Sequence, residues 1–348
     1  MTSEASTARR VSVAPMMDWT DRHCRYFHRL LSNRTLLYSE MLTSAAVVHG
    51  DYARLLRFHP AEHPVALQLA GSDPKLLARA AVLAESFGYD EINLNVGCPS
   101  DRVQRGRFGA CLMLEPEIVA ECVATMCTAV AVPVTVKTRI GVDDCDRYQD
   151  LAAFVARVAE AGCRIFIVHA RKAWLQGLSP KQNRELPPLR YDRVYRLKAE
   201  FPQLTIILNG GIQSLEQGLD HLPGLDGIML GRAAYLDPYQ LAAADQRGYA
   251  EPATPVERGE VVAAMLPYVR AHMEEGGRLP EVSRHMLGLF HGQPGAKLWR
   301  RLISQGAHLP GAGPELLEAA LEAVEREAQL AAERPEPQRR VWARLTGS

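Results

Sequence analysis

Short apolar runs rich in β-branched residues recur at positions 11–16, 36–40, 64–70, 91–95, 134–138, 164–169, 205–209 and 227–230. Their length and composition predict strands rather than buried helix segments. The stretches between them have helical spacing. Residues 73–87 open on Asp73-Pro74, carry Leu76, Leu77, Ala80, Leu83, Ala84 and Phe87 on one side, and stop at Gly88. Residues 115–130 carry Pro116 in the first turn, 150–161 end before Gly162, and 191–200 run into Phe201-Pro202. Eight alternating units predict an α/β fold, a (β/α)8 barrel. An open doubly wound sheet has the same alternation. No GxGxxG follows the first run, which weakens the dinucleotide-binding form of that alternative.

The pattern changes after Asp237-Pro238. Residues 256–275, 279–289, 295–305 and 314–333 all have helical spacing, with breaks at 276–277, 291–295 and 306–313. The expected organisation is a barrel domain over 1–245, an all-helical domain over 246–334 and a polar tail over 335–348. Composition adds little: 348 residues, 47% hydrophobic and 23% charged, describe an ordinary globular chain. The N-terminal MTSEASTARR lacks a signal-peptide core, and no apolar run approaches the roughly 18 residues of a membrane span. Seven cysteines include no CxxC pair, so neither a zinc motif nor a disulfide framework is expected. A reduced, cytoplasmic protein follows, and a monomer suffices.

Barrel enzymes carry their chemistry where strands end at the C-terminal face. The expected ends are Ala14-Pro15-Met16-Met17-Asp18, Gln68-Leu69-Ala70-Gly71, Asn93-Leu94-Asn95-Val96-Gly97-Cys98-Pro99, Lys137-Thr138-Arg139, His169-Ala170-Arg171, Asn209-Gly210-Gly211 and Leu230-Gly231-Arg232. All are expected at one mouth. The glycines and Arg232 after the last two strands suit a phosphate, approached by backbone N–H groups and a fixed cation. Cys98, among small turn-forming neighbours, suits a nucleophile or a proton donor. Cys122, Cys127 and Cys163 fit better as small buried apolar groups. Cys24 and Cys111 are undecided. Lys137 and Arg139 share a strand face. The lysine calls for an anionic or electron-rich partner, or an internal ion pair. His169 suits phosphate or cofactor contact ahead of a core role, and a metal last, since no HxH or HxxxE pattern accompanies it.

These motifs resemble the tRNA-dihydrouridine synthases. Residues 169–175, 177–184 and 284–290 look like that family's A subfamily, which modifies positions 20 and 20a of the tRNA D-loop. The resemblance spans about residues 11–308. It implies FMN at the C-terminal mouth, NADPH as reductant and tRNA as partner, with no metal. The implied reaction moves hydride from the flavin to C6 of uridine and a proton to C5. On this chain, Cys98 is then the proton donor. Pro15, Met16, Met17, Gln68, Lys137, His169, Asn209, Gly210, Gly211, Gly231 and Arg232 hold FMN. Asn95 and Arg139 meet the uracil, and Lys181, Arg184, Lys297 and Arg300 grip tRNA.

Net charge bears on the RNA partner. Forty Lys and Arg balance forty Asp and Glu, so no global field attracts a polyanion. Locally the picture differs. Residues 171–198 hold eight basic groups against Glu185 and Asp192, and 281–301 hold four against Glu281. Residues 314–336 hold seven glutamates against Arg326 and Arg334. Trp174, Tyr191 and Trp299 interleave with the basic stretches and suit base stacking, Trp299 also suiting a core position. Two competing readings stand beside the synthase. One is an FMN barrel acting on a free pyrimidine or enone. The other is a non-catalytic RNA-binding barrel.

Overall fold

The structure, a computed structural model, describes residues 9–100 and 105–333; the expected polar tail lies outside the described residues. Eight strands form a closed parallel barrel in chain order: β1 (Val11–Val13), β2 (Leu36–Thr43), β3 (Val65–Ala70), β4 (Glu91–Val96), β5 (Val134–Arg139), β6 (Ile165–His169), β7 (Thr205–Asn209) and β8 (Gly227–Leu230). Closure is made by β1 pairing with β8, with Val13 opposite Leu230. Each strand leads into a helix: α1 (Arg22–Leu31), α2 (Ser44–His49), α3 (Pro74–Ser86), α4 (Pro116–Ala129), α5 (Tyr148–Glu160), α6 (Tyr191–Glu200), α7 (Leu215–Leu219) and α8 (Arg232–Leu236). The expected barrel is the observed one.

Three boundaries differ by more than two residues, each for a local reason. The first strand stops at Val13 because Ala14 N–H, 2.7 Å from Leu230 O, is its last ladder donor, and Pro15 has none. The second runs on to Thr43 through an irregularity between Tyr38 and Met41 in its pairing with β3. The helix expected over 279–289 is α-helical only over Leu279–Ser283 and then tightens into a 3-10 turn, Arg284–Met286. Its downstream Gly288 lies so close to Leu236 O that a Cβ there would sit 2.5 Å from it.

Alternation in the strands separates two environments. Ile92, Leu94 and Val96 of β4 belong to the apolar layer shared with the surrounding helices. Ala14, Leu36, Tyr38, Ala66, Ile165, Ile167, Ile207 and Met229 form a separate cluster filling the barrel. The intervening inward positions on β3, β4 and β5 are polar.

Beyond β8 come α9 (Ala244–Tyr249), α10 (Arg258–Glu274), α11 (Leu279–Ser283), α12 (Ala296–Gly306) and α13 (Glu315–Glu333). The expected domain boundary falls inside α9. That helix is bound to the barrel: Asp245 accepts from the Asn33 and Arg34 N–H groups, and Tyr249 OH lies 3.1 Å from Val11 O. Further on, α10 packs on α1 and α13, with Tyr268 stacked on Tyr26 at 4.0 Å. Asp21 caps α1 through the His23 and Cys24 N–H groups and also takes Arg284 at 2.6 Å and His285 at 3.1 Å. Burial, the largest single influence, opposes ionisation of Asp21, but His285, the Cys24 N–H and His23 together hold the carboxyl well below its usual range. Among the described residues no helix is long and apolar enough to cross a membrane.

Trp299 of α12 is fully buried, packs against Phe290 with the rings tilted, and donates its Nε1–H to Met286 O at 2.8 Å. It is core and does not face a base. Trp299→Ala should cost about 3–5 kcal/mol of stability, measured by denaturant unfolding; an unchanged midpoint would contradict this placement.

Candidate active site

The end of β4 is shaped by one side chain. Asn95 Oδ1 accepts the N–H groups of Gly97 at 3.1 Å and Cys98 at 3.0 Å, while its Nδ2 donates to Gln68 Oε1 at 2.9 Å. Cys98 O in turn accepts from Ala110 N–H. The loop therefore presents Cys98 partly exposed, with Sγ 3.6 Å from Ser100 Oγ. The other cysteines differ. Burial pushes Cys122 and Cys163 up to about 12, Cys24 well above its ordinary value, and Cys111 and Cys127 upward as well. Cys145 is exposed, in the segment between β5 and α5.

Around Cys98 stand cations. Lys137 Nζ donates to Asn209 Oδ1 at 3.0 Å, and Asn209 Nδ2 donates to Met229 O. Desolvation first, then Arg139, brings the lysine down to about 7, with Cys98 acting in the opposite direction. Arg139 is buried, and its guanidinium ties the turn after β4 to two stretches of the segment after β6. It donates to Gly97 O at 3.0 Å, Lys172 O at 3.1 Å and Asn183 O at 2.9 Å. The sequence places Asn95 and Arg139 against the base; in the structure both engage the loop that carries Cys98. A buried guanidinium needs fixed acceptors, and loop carbonyls supply them.

His169 ends β6. Desolvation, then Arg139, Lys137, Arg171 and Arg184, push its basicity far down, so it stands as a neutral imidazole. Next on the chain, Arg171 donates to Pro187 O, while its buried Nε has no partner among the described residues. Sequence reading placed Arg171 at the mouth, two residues beyond a strand-end histidine, but gave it no role in holding a ligand. After β7, Gly210 and Gly211 have φ of 104° and 74°, a conformation open to glycine. A Cβ on Gly210 would lie 2.2 Å from the His169 ring. After β8, nothing lies within 4 Å of the position a Gly231 Cβ would take. Arg232 is paired with Glu185 at 2.6 Å rather than standing open.

The remaining expected residues divide. Met16 backbone accepts from Trp19 and Thr20, turning the chain after β1 and leaving Met17 exposed. Lys181 precedes the turn Gln182–Arg184 and Arg184 ends it, both exposed, and Arg184 feels the charges of Arg232 and Cys98. Lys297 and Arg300 lie exposed on α12, three residues apart on one face, and that helix packs on α13. Trp174 carries Lys172 over its ring at 4.0 Å, and Tyr191 OH donates to Gly210 O. Among the described residues no cluster of His, Cys, Asp and Glu could hold a metal ion.

A closed parallel barrel whose strand ends gather a partly exposed thiol, several cations and a glycine-lined edge is built as a barrel enzyme. The chain matches the dihydrouridine synthase (Dus) family over residues 12–326 and belongs to it. It is similar to proteins named tRNA-dihydrouridine(20/20a) synthase in several bacteria. The one from Vibrio cholerae serotype O1 is 59% identical over 313 residues, spanning 90% of this chain and 95% of its own. That from Xanthomonas axonopodis pv. citri is 59% identical over 321 residues, 92% and 96% of the two chains. That from Synechocystis sp. is 58% identical over 318 residues, 91% and 95%.

The neutral state of His169 is directly testable. Its imidazole resonances should not titrate in the window around the ordinary histidine midpoint of 6.5, since a depressed pKa keeps the neutral form as pH falls through it. A midpoint inside that window, seen by NMR, would contradict the site electrostatics.

Proposed function

We propose that this protein reduces the C5–C6 bond of uridine at positions 20 and 20a of the tRNA D-loop, giving 5,6-dihydrouridine, with FMN reduced by NADPH. The observation that carries the reading is Cys98, an accessible thiol fixed by Asn95 beside Lys137. A stacked base cannot reach a barrel mouth, so the nucleotide enters extruded.

The residues at the mouth fit a flavin phosphate. Arg171 holds a buried Nε without a partner, and Lys137, Arg139, Arg171 and Arg184 depress one another or His169. Such a cluster lacks an anion. Gln68, Lys137, His169, Asn209, Gly210, Gly211, Gly231 and Arg232 would hold the cofactor, with Arg171 and the backbone of Pro15, Met16 and Met17. A reduced flavin bound there would supply the hydride that C6 takes up. Cys98 donates its proton to C5, and Lys137 stabilises negative charge growing on the uracil carbonyl. Lys181, Arg184, Lys297 and Arg300 offer cations to the tRNA backbone. Asn95 and Arg139 serve the base by holding the loop that carries the thiol.

Two experiments test this. Cys98→Ala should keep FMN and NADPH oxidation while dihydrouridine, measured in tRNA by mass spectrometry, falls by orders of magnitude; a normal yield would sink the assignment. The second concerns Lys137, whose pKa near 7 lies below the ordinary 10.5. An electron-rich flavin favours the ammonium form, so binding above pH 7 takes up a proton. FMN affinity should therefore weaken as pH rises, by about tenfold per unit, and Lys137→Met should lose that slope. The same slope in Lys137→Met would refute the contact.

A further inference from the structure

Below the mouth, three inward positions of β4 are polar where a buried parallel strand is ordinarily aliphatic: Glu91, Asn93 and Asn95. Glu91 is fully buried at the barrel floor. Its carboxylate pairs with Arg9 Nε at 2.7 Å and accepts the hydroxyls of Tyr38 and Thr135. From there a row of hydrogen bonds climbs across neighbouring strands, following the pairing of Thr135 with Asn93 and of Asn93 with Gln68. Asn93 Nδ2 donates to Thr135 Oγ1 at 2.8 Å, Gln68 Nε2 to Asn93 Oδ1 at 2.7 Å, and Asn95 Nδ2 to Gln68 Oε1 at 2.9 Å. The row ends with Asn95 Oδ1 on the backbone N–H groups of Gly97 and Cys98.

The direction of every bond is determined from both ends. A carboxylate only accepts, so the Thr135 proton points down to Glu91. The Thr135 lone pairs then face Asn93 and require its N–H side. That turns Asn93 Oδ1 to Gln68, which turns Gln68 Oε1 to Asn95. At the top, backbone N–H groups only donate and require Asn95 Oδ1. The two fixed ends agree. Reversing one amide sets donor against donor at the next rung and, carried upward, against the Cys98 loop.

We infer that Glu91, Thr135 and Asn93 are positioning residues: they polarise the Gln68–Asn95 pair so that an acceptor always faces the loop presenting Cys98. They touch neither thiol nor substrate and act through Asn95. The consequence for proton delivery rests on the function proposed above; the hold on the thiol does not.

Thr135→Val keeps the shape and removes the rung, while Thr135→Ser keeps the hydroxyl. Asn93→Ala removes the next rung and leaves the Arg9–Glu91–Thr135 group whole, so it decides the matter if Thr135→Val does not fold. The full-length holoenzyme is read three ways: dihydrouridine kcat and KM on tRNA, NADPH oxidation with oxygen as acceptor, and the rate of Cys98 alkylation by iodoacetamide without tRNA, followed by peptide mass spectrometry. Thr135→Val and Asn93→Ala should lower kcat and raise the alkylation rate by about tenfold, the equivalent of one lost hydrogen bond. KM and NADPH oxidation should stay near the parent, and Thr135→Ser should restore both changed readouts. Parental kcat and alkylation rate in both folded variants overturn the inference. Altered alkylation in a protein whose parent forms no dihydrouridine leaves the ladder standing and removes the function.

Discussion

Closing eight parallel strands drives every second side chain of β3, β4 and β5 into a space sealed by helices outside and by Tyr38, Ile167 and Ile207 within. A polar group there must find a partner in the protein, because water is excluded. That requirement accounts for much of the site. The ion pair of Arg9 with Glu91 closes the floor, amides fill the middle, and the same strands deliver Asn95, Lys137 and Arg139 at the top. Arg139 extends the rule to the loops: one guanidinium satisfied by three carbonyls joins the turn after β4 to residues after β6.

How much of this is legible in sequence depends on what each residue is paired with. The eight strands were visible because their outward faces are aliphatic and their lengths are short. Cys98 was visible because glycine and proline surround it at a strand end. Helix α1 was not, because it buries charge: Arg25 on Glu62, and Arg29 on the carbonyls of Ser32, Thr35, Glu62 and Pro64. Its buried face reads as polar in any hydrophobic pattern. Glu91 and Thr135 were passed over for a different reason. Their partners lie across strands, and register is a property of the folded sheet. Trp299 sits among basic residues in sequence, yet only the packing of α12 reveals that it points inward.

The neutral total charge was equally incomplete. The cations of residues 171–198 are not all open to a partner: Lys172 pairs with Asp146, Lys198 with Asp226, and Arg190 with Asp192. Those left near the mouth, Arg171 and Arg184, are the ones with weakened basicity, which marks a place short of negative charge rather than a merely basic surface. The glutamates of α13 balance the sum from elsewhere in the fold.

Asp21 and Tyr249 also set how separable the two halves of the chain are. Asp21 caps a barrel helix with the same carboxylate that takes Arg284 and His285 from the helical half. Tyr249, past the point where composition suggests a cut, is bonded to the first barrel strand. A barrel ending at residue 245 would leave a largely buried carboxylate without its cations and β1 without one of its fastenings. The helical half is therefore tied into the barrel's own construction, through Asp21 at one helix cap and through Tyr249 at the first strand.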